Sequence, residues 1–371
     1  MHILIAPDKF KGSLTAGEVA EHLCVGLERS GVRCTTLPLA DGGDGSVAAG
    51  LAAGMRARTT TVADALGSPR QTTFALGGGT AIVEVADSCG LATLPAGRLA
   101  PMTASSSGFG QAIRCAVADG ARRVMLALGG SASTDGGTGM LAALGYTFYD
   151  RSGRTVVPGA GNLGDIDVVS ADDAVDLSGV ELVVANDVTN PLTGTSGAAV
   201  VFGPQKGAGA AEIDVLDSGL ENLVAAVYRS GHHEARTWSQ VPGAGAAGGC
   251  GFAALLLGAR MACGADYFLD LLGFDELVRD ADIVITGEGR LDDQTLAGKL
   301  PAAVAGRSLP RPVIAVVGRN DVTSTGGLFA EVHSVSDIAA ADTSRDPVRT
   351  ADTLRDIGAR IGCHAALLAL Q

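Results

Sequence analysis

His2-Ile3-Leu4-Ile5-Ala6-Pro7-Asp8-Lys9-Phe10-Lys11-Gly12-Ser13-Leu14-Thr15 opens the chain and decides its architecture. The short apolar run over residues 2–6 reads as a buried strand. Thr15 with Glu18 is a capping box for a helix over residues 16–30. The same pattern returns at the far end of the chain. Strands are expected at 34–39, 282–286, 313–318 and 331–335, with a helix-length stretch at 297–307. Alternating strand and helix predicts α/β architecture with a doubly wound parallel sheet. The middle reads differently. Runs at 59–62, 71–75 and 80–85, joined by Leu66-Gly67-Ser68-Pro69 and Gly77-Gly78-Gly79, predict a β-meander. Helices at 108–119 and 214–229 and strands at 123–128 and 181–185 follow. The economical reading is one domain from residues 1–60 and 278–371, with a mixed α/β domain, 61–277, inserted in it. Small-molecule sites favour the clefts of such arrangements. The polar stretch 340–350 reads as an exposed connection to a last helix.

Bulk properties narrow the function. A length of 371 residues suits two domains. With 47% hydrophobic but only 4% aromatic residues, the cores must be filled by Ala, Val, Leu and Ile. The 53 glycines show no three-residue period, which excludes a collagen-like chain. Seven cysteines without a C-x-x-C pair read as small buried thiols in a reducing cytoplasm. Neither a signal peptide nor a membrane span is expected. A net charge of −13 excludes nucleic acid and anionic membrane as partners. A phosphate ligand would therefore need local donors and a bridging cation. The chain has four lysines, Lys9, Lys11, Lys206 and Lys299, and a compact ammonium is not interchangeable with guanidinium at a phosphate.

Five segments could carry chemistry. Residues 6–15 lie where open α/β sheets bind ligands, and Asp8, Lys9, Lys11, Ser13 and free helix amides suit an anion. An ordinary βα turn with solvated lysines would use the same residues. In 40–46, Asp41 and Asp44 on a glycine turn could orient magnesium through water, or simply make the turn. Residues 128–139 place Gly130, Ser131, Ser133 and Asp135 in a glycine-rich loop that could form an anion nest. No Walker A motif occurs. Asp187, in 185–192, could be a general base, a metal ligand or part of an Asx-type turn. Residues 286–295 carry Glu288, Arg290 and Asp292; a helix start explains Asp292 and Asp293 but not the other two. The G-x-G-x-x-G run 243–248 has no strand leading into it, so a dinucleotide site is not expected there. The histidines lack metal-binding spacing.

Taken in order, seven motifs resemble the type I glycerate kinase family. They are Asp8-x-Phe10-Lys11-Gly12-Ser13, Ala40-Asp41-Gly42-Gly43-Asp44-Gly45, and Gly129-Gly130-Ser131-Ala132-x-x-Asp135-Gly136-Gly137. Asn190-Pro191-Leu192, residues 201–208 (Val-Phe-Gly-Pro-Gln-Lys-Gly-Ala), residues 243–249, and Thr286-Gly287-Glu288-Gly289-Arg290-Leu291-Asp292 complete the set. The resemblance implies a flavodoxin-like domain split around a restriction-enzyme-like insert. It implies transfer of the ATP γ-phosphoryl group to a hydroxyl of glycerate, with Mg2+. By the same resemblance, Lys11, Asp187 and Arg290 are catalytic. Asp8, Ser13, Gly130, Ser131, Ser133, Lys206 and Glu288 bind substrate or phosphate, and Asp41, Asp44 and Asp292 are metal candidates. Lys9 stands where the family varies, and the last fifty or so residues resemble it weakly. A nicotinamide-dependent hydroxy-acid dehydrogenase and a non-catalytic hydroxy-acid-binding protein are the rival readings, and a homo-oligomer is left open.

Overall fold

A computed structural model describes residues 1–296 and 298–368. The strands up to mid-chain are β1 (His2–Pro7), β2 (Arg33–Thr36), β3 (Arg56–Ala63), β4 (Pro69–Gly77), β5 (Thr80–Glu84) and β6 (Arg123–Ala127). They are followed by β7 (Thr147–Tyr149), β8 (Val168–Ser170), β9 (Glu181–Ala185), β10 (Arg260–Ala262), β11 (Ile283–Leu291), β12 (Val313–Asn320) and β13 (Glu331–Ser334). The chain forms two compact units, one of residues 1–41, 48–54 and 264 onward, the other of 42–47 and 55–263. The divisions at 54/55 and 263/264 lie upstream of the expected 60/61 and 277/278. Composition marks where apolar runs begin, whereas β3 already starts at Arg56 and the helix Gly264–Leu271 packs on the helix Leu300–Ser308.

The first unit is a parallel sheet in the order β2-β1-β11-β12-β13. β1 pairs with β11, Ile3 opposite Ile283 and Ala6 opposite Thr286, so the two ends of the chain share one sheet as the opening motif predicts. Its central strands β1, β11 and β12 carry buried apolar runs because helices cover the sheet, while the edge strands β2 and β13 are more polar. Ile3, Ile5, Ile285 and Val316 pack with Val19, Leu23 and Leu27 of the helix Ala16–Glu28. That helix begins at the Thr15–Glu18 capping box. β2 is shorter than expected, but the Leu37 and Leu39 amides still donate to Ile5 and Pro7 carbonyls and keep the chain beside β1. Of the predicted stretch 297–307, Leu300 onward is helical, and residue 297 lies outside the described residues.

The last helix, Pro347–Leu368, packs against the first. A Cβ on Gly26 would lie 2.2 Å from the Arg355 carbonyl, and one on Gly358 would lie 2.4 Å from that of Leu23. Gly358→Val is therefore expected to cost at least about 2 kcal/mol by overpacking. Gly17→Ala, with open space at its Cβ, should instead stabilise by about 0.5–1 kcal/mol. Urea midpoints moving in the same direction for both variants would contradict this reading. Residues 340–350 are not simply an exposed connection. Thr343 and Thr350 are buried, and the Thr350 hydroxyl donates to the Thr343 and Asp346 carbonyls.

Two cysteines correct the sequence reading. Cys24 on the first helix and Cys34 on β2 form a disulfide across a Cα separation of 6.0 Å, because helix and strand are adjacent in the fold. This pair no longer supports the argument for a reducing compartment. Cys89 and Cys250 are buried outside any disulfide.

The second unit is a mixed sheet, β10-β9-β6-β5-β4-β3. The expected meander is β3, β4 and β5, paired antiparallel, while β5, β6, β9 and β10 run parallel. Phe74, Phe109, Phe148 and Phe252 lie in its core with many small aliphatic side chains. β7 and β8 form a separate small ladder. Among the described residues no helix is long and apolar enough to cross a membrane.

Candidate active site

In the first unit, strand order reverses between β1 and β11, and ligands bind open α/β sheets at the C-terminal ends of the strands at such a point. Asp8 follows β1 there, its amide donating to Gly287 on β11. The Lys9 amide donates to Asp8 at 2.7 Å, and the Lys9 ammonium lies 3.6 Å from Asp8 and 4.0 Å from Asp41. Glu288, on β11, accepts from the buried Thr295 hydroxyl. Asp292 accepts from the Gln294 and Thr295 amides and pairs with Lys299 at 3.6 Å.

Burial, then the Asp41 charge, pushes Asp8 up to about 7 against the pull of Lys9. Burial also raises Glu288 to about 7, with Asp8 and Asp292 adding to the effect and Thr295 and Lys299 opposing it. Burial acts upward on Asp292 too, but the Thr295 amide and Lys299 outweigh it and hold its pKa low. Crowded carboxylates of this kind are relieved by a cation. Their oxygens are hard donors that suit Mg2+. No three of these carboxylates bring oxygens within 4.8 Å of one another; among the described residues only Cys24, Glu28 and Cys34 do so. That spacing fits Mg2+, which keeps waters and phosphate oxygens in its shell and takes one or two protein carboxylates.

Lys11 stands exposed on the tight turn closed by Phe10 and Leu14, with its amide near Gly289. Ser13 is committed elsewhere, donating to the Thr350 hydroxyl. Arg290 donates to Asp321 at 2.6 Å, and Arg319, its register partner on β12, donates to the same carboxylate. Arg319 and Asp321 escaped the sequence reading. The available signal was an Arg-Asn-Asp run closing an apolar strand, the position Arg290 holds on β11.

In the second unit, the loop after β6 is braced from inside. Asp135 is fully buried and accepts from the Ser106 amide and hydroxyl and from the Gly137 and Gly139 amides. Lys206, only 2% exposed, donates to the Ser131 hydroxyl at 3.1 Å and to the Ser133 carbonyl. Gly130 takes a positive φ of 79° in this loop. Gly42 of the Asp41–Asp44 turn lies so close to the end of β9 that a Cβ would meet the Ala185 carbonyl at 2.1 Å. Asp187 is exposed just beyond β9, with the Cys263 thiol 3.7 Å from its carboxylate.

Asp44 is exposed, and its charge acts on Glu84 at the end of β5, a residue absent from the sequence reading. Glu84 is buried, accepts from the Val47 amide, and is raised to about 7 by burial first and Asp44 second. The signal was a lone carboxylate closing the apolar run Thr80-Ala81-Ile82-Val83.

A glycerate kinase family profile matches residues 3–362. The chain belongs to the glycerate kinase family. It is 42% identical over 329 residues to a glycerate kinase of Bacillus subtilis (strain 168), covering 86% of this chain and 85% of that one. It is 39% identical to a glycerate 2-kinase of Escherichia coli (strain K12), with the same coverage. A crystal structure from Salmonella typhimurium LT2, assigned as a glycerate kinase 2, superposes with a TM-score of 0.86 at 34% identity over the whole of both chains. The fold is thus an α/β fold, with one parallel and one mixed sheet, shared with a glycerate kinase.

In this glycerate kinase family member, the G-x-G-x-x-G run follows the helix Ala235–Trp238 and not a strand. A Cβ on Gly248 would lie 2.1 Å from the Ser133 carbonyl, and the Gly136 amide donates to the Gly248 carbonyl. Its glycines let two backbones touch. The dehydrogenase reading loses its one supporting motif.

One buried and two half-buried carboxylates give a pH prediction. Glu84, Asp8 and Glu288 have folded pKa values near 7, above their unfolded values. A raised carboxyl pKa means the folded state holds the proton, so this stability is full below the unfolded pKa and is lost as pH rises through about 7. In metal-free buffer the unfolding midpoint is expected to fall between about pH 5.5 and 8, with roughly 2 kcal/mol of that change from Glu84. Glu84→Gln should flatten the slope by that amount; an unchanged slope would refute the assignment.

Proposed function

We propose that this chain transfers the γ-phosphoryl group of ATP to a hydroxyl of glycerate, releasing phosphoglycerate and ADP. The observation that carries this reading is the set of carboxylates and ammonium groups around Asp8 and Glu288 at the switch point of the parallel sheet. Phosphoryl transfer asks a protein mainly for in-line positioning and charge stabilisation.

Asp41 and Asp292, beside Asp8 and Glu288, are the proposed holders of Mg2+, which supplies charge neutralisation on the phosphates. Asp44, beside Glu84, is a further metal candidate in the second unit. Lys11 and Arg290 are proposed to stabilise charge on the transferring group. Asp187 takes the proton of the attacking hydroxyl in this scheme. Gly130, Ser131, Ser133 and Lys206 bind an anionic group, while Ser13, bonded to Thr350, shapes the turn that carries Lys11.

The strand order of the first unit, 2-1-3-4-5 in its own numbering, supports a flavodoxin-like description; a restriction-enzyme-like description of the second follows from the resemblance alone. A kinase works where ATP is held, and we place it in the cytoplasm. The 2-hydroxyl is the proposed acceptor, in line with the name of the E. coli relative. Coupled detection of ADP with glycerate, followed by phosphorus NMR of the product, tests both claims. Absence of glycerate-dependent ADP formation refutes the activity, and a 3-phosphoglycerate product refutes the position.

A further inference from the structure

The second unit buries an ammonium that, among the described residues, has no carboxylate in contact with it. Lys206 is 2% exposed, and among the described residues no carboxylate lies within 4.0 Å of its ammonium. Its bonds go to two neutral oxygens, the Ser131 hydroxyl and the Ser133 carbonyl. Asp135 acts on it only at longer range, with its oxygens already taken by the Ser106, Gly137 and Gly139 donors. The Cys250 thiol also acts on it, but burial first, and the Asp135 charge second, push that thiol far up, so it stays neutral. In the same loop, the Ser133 and Thr134 hydroxyls are fully buried and, among the described residues, have no hydrogen-bond partner.

Each of these is costly alone. A buried charge without a partner in contact is strongly unfavourable, and so is each unsatisfied buried hydroxyl. An isolated deficit can be a packing compromise. Three of them, in Ser133, Thr134 and the lysine bonded to Ser133, call for a missing partner. That partner is an anion, because the lysine lacks a negative charge and hydroxyls can donate. The Ser131 hydroxyl accepts from Lys206, so its own proton is also available for donation.

The charge count sets the class of anion. One ammonium, with the charge of a buried carboxylate already acting on it, leaves room for no more than a single negative charge, shared with three neutral donors. A polyphosphate would bring several charges to one cation and into the field of Asp135. A carboxylate brings one charge and two acceptor oxygens. We propose that Lys206, Ser131, Ser133 and Thr134 hold the carboxylate of the hydroxy-acid substrate. This rests on the kinase reading above and would explain selection of a hydroxy acid over an uncharged polyol.

Calorimetric titration and thermal shift on the full chain test the assignment, using glycerate, lactate, glyceramide, chloride and ADP as probes. Wild type should bind glycerate, and lactate more weakly, with no response to glyceramide. Lys206→Met should weaken glycerate at least about tenfold, the scale of a lost charge-assisted hydrogen bond, while ADP binding stays within twofold or so. Should Lys206→Met fail to fold, Ser133→Ala and Thr134→Val serve instead, since removing an unsatisfied buried hydroxyl relieves its cost and does not destabilise the fold. Each should weaken glycerate several-fold. Unchanged glycerate affinity in these variants, loss of ADP binding in its place, or a chloride response equal to that of glycerate would overturn the proposal. If wild type binds lactate or another small hydroxycarboxylate through Lys206 yet consumes no ATP with glycerate, the kinase reading fails and the carboxylate site stands.

Discussion

Lys11→Met is expected to lower kcat by about two to three orders of magnitude, or ~3–4 kcal/mol, the loss typical of a donor acting on developing charge. Its unfolding midpoint should scarcely move, because an exposed side chain of this kind contributes about 0.5 kcal/mol or less to folding. The structure gives this contrast a basis. Lys11 projects from a turn whose Phe10 and Leu14 backbones bond to each other in both directions, so the turn does not depend on the lysine side chain. The same turn lies beside Gly289, between Glu288 and Arg290. Steady-state kinetics and a melting curve on one preparation decide the matter. Retention of more than about half the wild-type turnover would make Lys11 a solvated lysine and displace the proposed site.

Asp8→Asn should be comparably damaging, with kcat reduced at least about a hundredfold, and should also show in equilibrium measurements. In wild type, Mg2+ with ADP is expected to raise the unfolding midpoint by mass action, and more so above pH 7, where Asp8 and Glu288 give up their protons. The variant keeps the size of the side chain and removes its charge. Most of the Mg2+-dependent part of that shift should therefore vanish, while a shift from nucleotide alone remains. Equal Mg2+ dependence in both proteins would show that the Asp8 charge has no part in holding the ion at the neighbouring Asp41 and Asp292. Lys9 should no longer be read as a bystander on the strength of sequence alone. It pairs with both Asp8 and Asp41, and its charge holds the Asp8 pKa down, so Lys9→Met should raise Asp8 further and reduce activity.

The fold was largely legible because its signals are local. The apolar run at residues 2–6, the Thr15–Glu18 cap and the glycine-marked meander each report on their own neighbourhood, and each is found where expected. The site was legible only as a list of loops. Asp8, Asp41, Glu288 and Asp292 could be named because carboxylates at strand ends are conspicuous, but their mutual effect depends on register between strands far apart in sequence. Glu84 was missed because a strand-ending carboxylate inside a meander looks like a solvated edge residue until the Val47 amide is seen above it. The Cys24–Cys34 bond was hidden for a similar reason: a helix and the next strand lie side by side only once the sheet has formed. Lys206 could be named from a motif, but its burial without a counter-ion is a property of packing.

The pairing of β1 with β11 also dictates an order of events during synthesis. β1 can find β2 as soon as the first helix closes, but its other neighbour begins at Ile283. At about 5–20 residues per second on the ribosome, β11 emerges roughly ten to fifty seconds after β2. Through that interval one edge of β1, lined by Ile3, Leu4 and Ile5, has no strand beside it. Every strand of the second unit is translated within the same interval, so the insert can reach its native pairing while the unit that encloses it in sequence is still half made. The nascent chain is therefore most exposed to aggregation at its oldest segment, and a chaperone that shields the first forty or so residues would protect it where protection is needed for longest.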